Sequence, residues 1–165
     1  MFQPDLIDSA TTLLDRARTA GVMFATAESC TGGMVCALLT EIPGSSDILD
    51  RGFVTYSNEA KAELLGIPMA IINANGAVSA EVARRMAQEA LLRSNADIAV
   101  SITGVAGPGG SARKPAGLVH FGLAHRDGPV RTQVHRFGDR GRGEVRRQSV
   151  RTALGLLSQG VDFFR

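Results

Sequence analysis

Val22-Met23-Phe24-Ala25-Thr26-Ala27-Glu28-Ser29-Cys30-Thr31-Gly32-Gly33-Met34-Val35-Cys36-Ala37-Leu38-Leu39 is the stretch whose reading decides the fold. Val22 to Thr26 is apolar and short, as a buried strand is. Met34 to Leu39 is an apolar helix, ended by Pro43-Gly44. Between them lies a turn with two adjacent glycines, where tight backbone geometry needs them. Gly52-Phe53-Val54-Thr55-Tyr56 then reads as a second strand. Strand, turn, helix and strand together make a βαβ unit, which seeds a parallel sheet.

The pattern extends outward on both sides. Upstream, Leu6, Ile7, Ala10, Leu13, Leu14 and Ala17 recur at helical spacing until Gly21. Downstream, Asn58 is placed to cap a helix that runs to Leu65, with Gly66 as its C-cap and Pro68 beyond. Ser79 caps another helix, with Val82, Ala83, Met86, Ala90 and Leu91 as its apolar stripe. Ile98 to Thr103 is the strongest candidate for a central strand. Leu118 to Ala124 and Val130 to Phe137 form an antiparallel hairpin around Asp127-Gly128. Basic neighbours of Val134 place one side of that strand in water. Glu144 to Leu157 is a last helix. The expectation is an α/β fold: a three-layer-like sandwich with a mixed, mostly parallel sheet, an antiparallel C-terminal hairpin and helices on its faces. No linker or repeat divides residues 1–165, so one domain is expected.

Composition removes several function classes. Apolar residues make up 44% and charged residues 21%, which excludes a disordered chain. No apolar run approaches the ~18 residues of a membrane span, and the acidic N-terminus does not resemble a signal peptide. Two cysteines, Cys30 and Cys36, are too few for a disulfide scaffold and suit a cytoplasmic location. Their spacing is not that of a zinc site, so no metal is expected. His120, His125 and His135 have no acidic or cysteine neighbour at catalytic or metal spacing.

The net charge of +2 hides an asymmetry. Residues 1–82 carry a net −6 and residues 83–165 a net +8. Sixteen of the eighteen basic residues are arginine, which suits a bidentate grip on phosphate or carboxylate. An anionic partner is therefore permitted. Nucleic acid is disfavoured, because one tyrosine and no tryptophan leave no aromatic reading surface.

Four places could carry chemistry. Ser29 follows a strand and precedes a helix, and it reads either as a nucleophile, as part of an anion-binding turn, or as a helix cap. The amides of Thr31, Gly32 and Gly33 are its candidate oxyanion or anion donors. Tyr56 is the only tyrosine and Lys61 one of two lysines. Lys61 falls in the first turn of a helix, where the dipole lowers a lysine pKa and favours a general base; a solvent-exposed lysine is the alternative. Thr103-Gly104-Val105-Ala106-Gly107-Pro108-Gly109-Gly110 is a glycine-rich loop at the end of a central strand. It matches neither a Walker A motif nor a dinucleotide fingerprint. It is either a cradle for a phosphate or planar ring, or a wide turn. Arg140, Arg142, Arg146 and Arg147 begin the last helix, as a phosphate clamp or a solvated basic face.

Taken together, these segments resemble the CinA C-terminal domain family. The resemblance rests on Ala27-Glu28-Ser29-Cys30-Thr31-Gly32-Gly33, Gly52 to Lys61, Leu64-Leu65-Gly66-Ile67, Gly76-Ala77-Val78-Ser79, the loop 103–110, Lys114-Pro115-Ala116-Gly117, and Gly138-Asp139-Arg140 with Val145-Arg146. These blocks stand in order over about residues 6–160, and the chain looks like the family's stand-alone form. The resemblance implies a nicotinamide mononucleotide amidohydrolase, giving nicotinate mononucleotide and ammonia without a metal or other cofactor. It places the catalytic serine on Ser29, the lysine on Lys61 and the tyrosine on Tyr56. It places substrate binding on Thr103, Gly104, Ala106, Gly107 and Gly109, with Arg140 and Arg146 as the terminal arginines. Gly141-Arg142-Gly143-Glu144 lengthens the spacing between those two arginines. A homo-oligomer, most simply a dimer, is expected for an enzyme this small. A non-catalytic nucleotide-binding or competence-associated module is the alternative.

Overall fold

The computed structural model describes residues 1–164. Helix α1, Pro4–Ala20, closes on Gly21, whose left-handed backbone a side chain would strain. Strand β1, Phe24–Glu28, is buried along its whole length and is followed by the glycine turn and α2, Met34–Thr40. A short 3-10 turn, Ser45–Asp47, precedes β2, Leu49–Val54. Helices α3, Asn58–Leu65, α4, Met69–Asn75, and α5, Ala80–Leu92, fill the crossover to β3, Ile98–Gly104. Strands β4, Leu118–His125, and β5, Val130–Arg136, form the hairpin, and α6, Arg142–Asp162, completes the chain.

The sheet order is β2-β1-β3-β4-β5. β1 pairs parallel with both β2 and β3, while β4 runs antiparallel to β3 and to β5. Only β4 therefore opposes the common direction. The mixed, mostly parallel α/β sheet expected from the sequence is present.

The two faces of the sheet are packed differently. Phe24, Ile98, Val100, Ile102, Val119, Phe121 and Leu123 point to one face, where α1, α2 and α6 cover them. The other face carries small residues, Ala25, Ala27, Ala99 and Ala124, beneath α5. Small side chains let α5 lie close. Ser101 Oγ donates to the Ala83 carbonyl at 2.6 Å, and Gly122 faces the same carbonyl.

Several boundaries differ from the sequence reading. β2 begins at Leu49 and ends at Val54, so Tyr56 lies beyond the strand rather than at its end. Leu49-Asp50-Arg51 lies before the strand expected from Gly52, yet pairing with β1 holds it extended. Ser57, not Asn58, caps α3 by accepting from the Ala60 amide. α4 was not expected: it is one short helix with only Ile72 buried, too little to write a periodicity. α6 starts earlier and ends later than residues 144–157.

Candidate active site

The carboxyl ends of β2, β1 and β3 lie side by side, the usual place for ligands in an open α/β sheet. Ser29 sits at the centre of this edge. Its amide donates to Ile102 O at 2.9 Å, and Thr55 N donates to Glu28 O at 2.8 Å. Those two bonds extend both flanking ladders by one step and fix the backbone on which Ser29 stands.

Lys61 reaches Ser29 from the first turn of α3. Its Nζ lies 3.1 Å from Ser29 Oγ and donates to Thr55 O at 2.9 Å. Lys61 is only 1% exposed and Ser29 8%. Among the described residues no carboxylate pairs with this ammonium. Burial disfavours its charged form and holds its pKa below the ordinary lysine value. The surface reading of Lys61 is thereby removed, and burial rather than the helix terminus is the main cause of the shift. A hydroxyl beside a desolvated amine is the arrangement that lets a serine be deprotonated. The neighbouring thiol is the opposite case: burial pushes Cys30 up to about 11, so it stays protonated near neutral pH.

The glycine turn departs from expectation. Glu28 is fully buried, and its carboxylate accepts from Gly33 N at 3.1 Å, Val35 N at 3.1 Å and Cys36 N at 3.0 Å. Gly32 N donates to Ser29 O at 3.0 Å. Two of the three amides expected to receive an oxyanion, those of Gly32 and Gly33, are thus engaged within the protein. The Thr31 amide has no acceptor among the described residues, but Thr31 is fully buried and does not line the cleft over Ser29. The anion at the start of α2 is the protein's own Glu28, a role the sequence reading missed; an acid just before the turn was its only signal.

A cleft of about 320 Å³ opens over Ser29. Cys30, Tyr56, Asn58 and Lys61 line one side, and Ala77, Val78 and residues 103–108 the other. Thr103 is fixed by a bond from its Oγ1 to Ala77 O at 2.7 Å. Gly104 leaves no room for a side chain, because a Cβ would meet Val119 Cγ2 at 2.7 Å and Leu118 O at 2.8 Å. Ala106 and Gly107 line the cleft as expected, whereas Gly109 lies in a separate hollow beside Gly110 and Asp139.

The arginines also change places. Arg142 lines the cleft, donating from Nη1 to Gly107 O at 3.0 Å and from Nη2 to Tyr56 Oη at 2.7 Å. Arg140 is exposed and does not line it. Arg146 lies behind the turn, where its Nη2 donates to Thr31 O at 3.1 Å. Of the arginines around the start of α6, it is Arg142 that reaches the cleft. Tyr56, 60% exposed, hydrogen-bonds Arg142 rather than the Ser29–Lys61 pair. Among the described residues no three His, Cys, Asp or Glu side chains converge as a metal site, and no helix is long and apolar enough to cross a membrane.

Comparison with known proteins supplies the context. The chain is 54% identical over 116 residues to a nicotinamide-nucleotide amidohydrolase PncC of Enterobacter agglomerans, covering 69% of this chain and 71% of that one. It is 51% identical over 140 residues to a CinA-like protein of Chlorobaculum tepidum, covering 81% of this chain and 32% of that one. The chain thus spans about a third of the length of several of the relatives it matches. The crystal structure of competence/damage inducible protein CihA from Agrobacterium tumefaciens superposes with a TM-score of 0.94 at 47% identity, over 98% of each chain. The family model for the CinA C-terminal domain matches residues 7–161, and the chain belongs to that family.

Proposed function

We propose that the chain is a nicotinamide mononucleotide amidohydrolase that uses Ser29 as nucleophile and Lys61 as general base, without a metal. The observation that carries this reading is the buried contact of Lys61 Nζ with Ser29 Oγ at 3.1 Å, opening on a cleft. The name of the Enterobacter agglomerans relative supports the substrate.

In the proposed reaction, neutral Lys61 takes the hydroxyl proton as Ser29 Oγ bonds to the carboxamide carbon. The amide of Cys30, which lines the cleft next to Ser29, is the donor we assign to the oxyanion. Lys61 returns the proton to the amide nitrogen, the C–N bond breaks, and ammonia leaves. Water then attacks the acyl-enzyme. Lys61 takes its proton and passes it to Ser29 Oγ, releasing nicotinate mononucleotide. Arg142 is assigned to the substrate phosphate. The two free cysteines support the proposal that the chain works in the cytoplasm.

The test is ammonia release from nicotinamide mononucleotide in EDTA. Turnover is expected with the unmodified chain, and a loss of at least about 10³-fold with Ser29→Ala. Full activity in that variant overturns the mechanism. Calorimetric binding without ammonia release would instead establish a nucleotide-binding module.

A further inference from the structure

Glu28 is the most deeply buried acid in the chain, and the mechanism above does not use it. It directly precedes Ser29. All of its hydrogen-bond partners among the described residues are backbone donors: Oε2 accepts from Gly33 and Val35, and Oε1 from Cys36. No arginine or lysine pairs with it among the described residues. A buried carboxylate without a cation is expensive unless hydrogen bonds replace its hydration. Here three do. The bonds span the turn, joining the last residue of β1 to the first residues of α2. The five residues between, which include Ser29 and Cys30, are held as a closed loop.

We infer that Glu28 is a positioning residue for the proposed amidase: its carboxylate clamps the α2 amides and so holds Ser29 Oγ and the Cys30 amide beside it in the geometry that acylation needs. This rests on the reading of Ser29 as the nucleophile. Glu28 also keeps external anions from the start of α2, leaving Arg142 to hold them. Burial, not Glu28, dominates the shift at Lys61, so the clamp acts on geometry and leaves the base alone.

The bonding pattern makes a selective test. Because every partner is a donor, glutamine satisfies only one side of the site; its NH2 would face an N–H on the other. Glu28→Gln is therefore not silent, although it keeps size and shape. The unmodified chain, Glu28→Gln and Glu28→Asp would be compared in two ways. The first is labelling of Ser29 by a small fluorophosphonate, followed by mass. The second is kcat, KM and the kcat/KM–pH profile with nicotinamide mononucleotide, per labelled site. Labelling rate and kcat are expected to fall together by about 10–10³-fold in Glu28→Gln, with KM within threefold and the acidic limb at the same pH. A limb that moves would make Glu28 part of the proton chemistry and overturn the inference. So would near-normal kcat per labelled site, since a role in stability alone predicts that. If Glu28→Gln does not fold, Glu28→Asp, which withdraws the carboxylate by one methylene, carries the same comparison. Labelling without ammonia release from the unmodified chain would refute the substrate but leave the labelling rates to decide on Glu28. No labelling of Ser29 in the unmodified chain would overturn both.

Discussion

Tyr56 Oη accepts a hydrogen bond from Arg142 Nη2 at 2.7 Å across 86 residues of sequence. The same guanidinium donates to Gly107 O at 3.0 Å. One side chain from the start of α6 thus ties together the segments that follow β2 and β3, at the mouth of the cleft. Both acceptors are neutral, and no carboxylate pairs with Arg142 among the described residues. Its charge is therefore available to an anion in the cleft.

Arg142→Ala is expected to raise KM for the mononucleotide by about 10–10²-fold, the range of one charged hydrogen bond. KM for the dephosphorylated riboside should be unchanged, and Arg140→Ala should match the unmodified chain. Steady-state kinetics on both substrates checks this. Equal losses on mononucleotide and riboside would remove the phosphate assignment.

Tyr56 is bonded to Arg142 and exposed, so it is expected to act through that arginine rather than relay a proton. Tyr56→Phe should raise KM by about 2–10-fold, the value of a modest hydrogen bond, and leave kcat within threefold. In a double-mutant cycle with Arg142→Ala its effect should largely vanish. A kcat loss that persists without Arg142 would place Tyr56 in the proton path.

The fold offers a test independent of chemistry. A Cβ on Gly122 would sit 2.4 Å from Ala83 O and 2.7 Å from Ser101 Oγ. Gly122→Ala must push α5 off the sheet and is expected to destabilise by about 1–3 kcal/mol. Gly155 in α6 is exposed, with nothing within 4 Å of an added Cβ. Gly155→Ala should stabilise by about 0.5–1 kcal/mol. Urea midpoints would show the opposite signs.

What the sequence reveals follows from the range of the forces involved. α1 and α5 are legible because Leu6 to Ala17 and Val82 to Leu91 repeat a buried stripe locally. The start of β2 and the whole of α4 are not, because Leu49-Asp50-Arg51 and Met69–Asn75 take their shape from neighbours distant in the chain. At the site, Ser29 and Lys61 are marked by their places on a turn and a helix start. Arg142 is not: only the path of residues 138–145 decides which arginine reaches the cleft. Glu28 is hidden for another reason. An acid reads as solvated, and its three partners are backbone amides that leave no trace in side-chain spacing.

Lys61 makes the sharpest demand on the mechanism, since its lowered pKa has consequences for both rate and stability. As a base it must be neutral in the free enzyme, so kcat/KM should fall on the acidic side as the amine gains a proton. Lys61→Arg keeps a charge but cannot accept a proton near neutral pH. A phosphate anchor would survive that change with a raised KM; a base should lose about 10²–10⁴-fold in kcat. Because arginine is larger and Lys61 is buried, Lys61→Met provides a second measurement. The unfolded chain holds the Lys61 proton up to about pH 10.4, while the folded chain releases it at lower pH. Between those two values the unfolded state binds more protons, so this lysine makes stability rise with pH across that window. Methionine removes both the slope and the cost of giving up that proton on folding. At pH 7 the Lys61→Met variant is expected to melt higher, by about 2–4 °C for each kcal/mol recovered. Thermal melts from pH 6 to 10 would read the slope directly. Near-normal kcat in Lys61→Arg, or an unchanged slope in Lys61→Met, would refute the assignment of Lys61 as a desolvated general base.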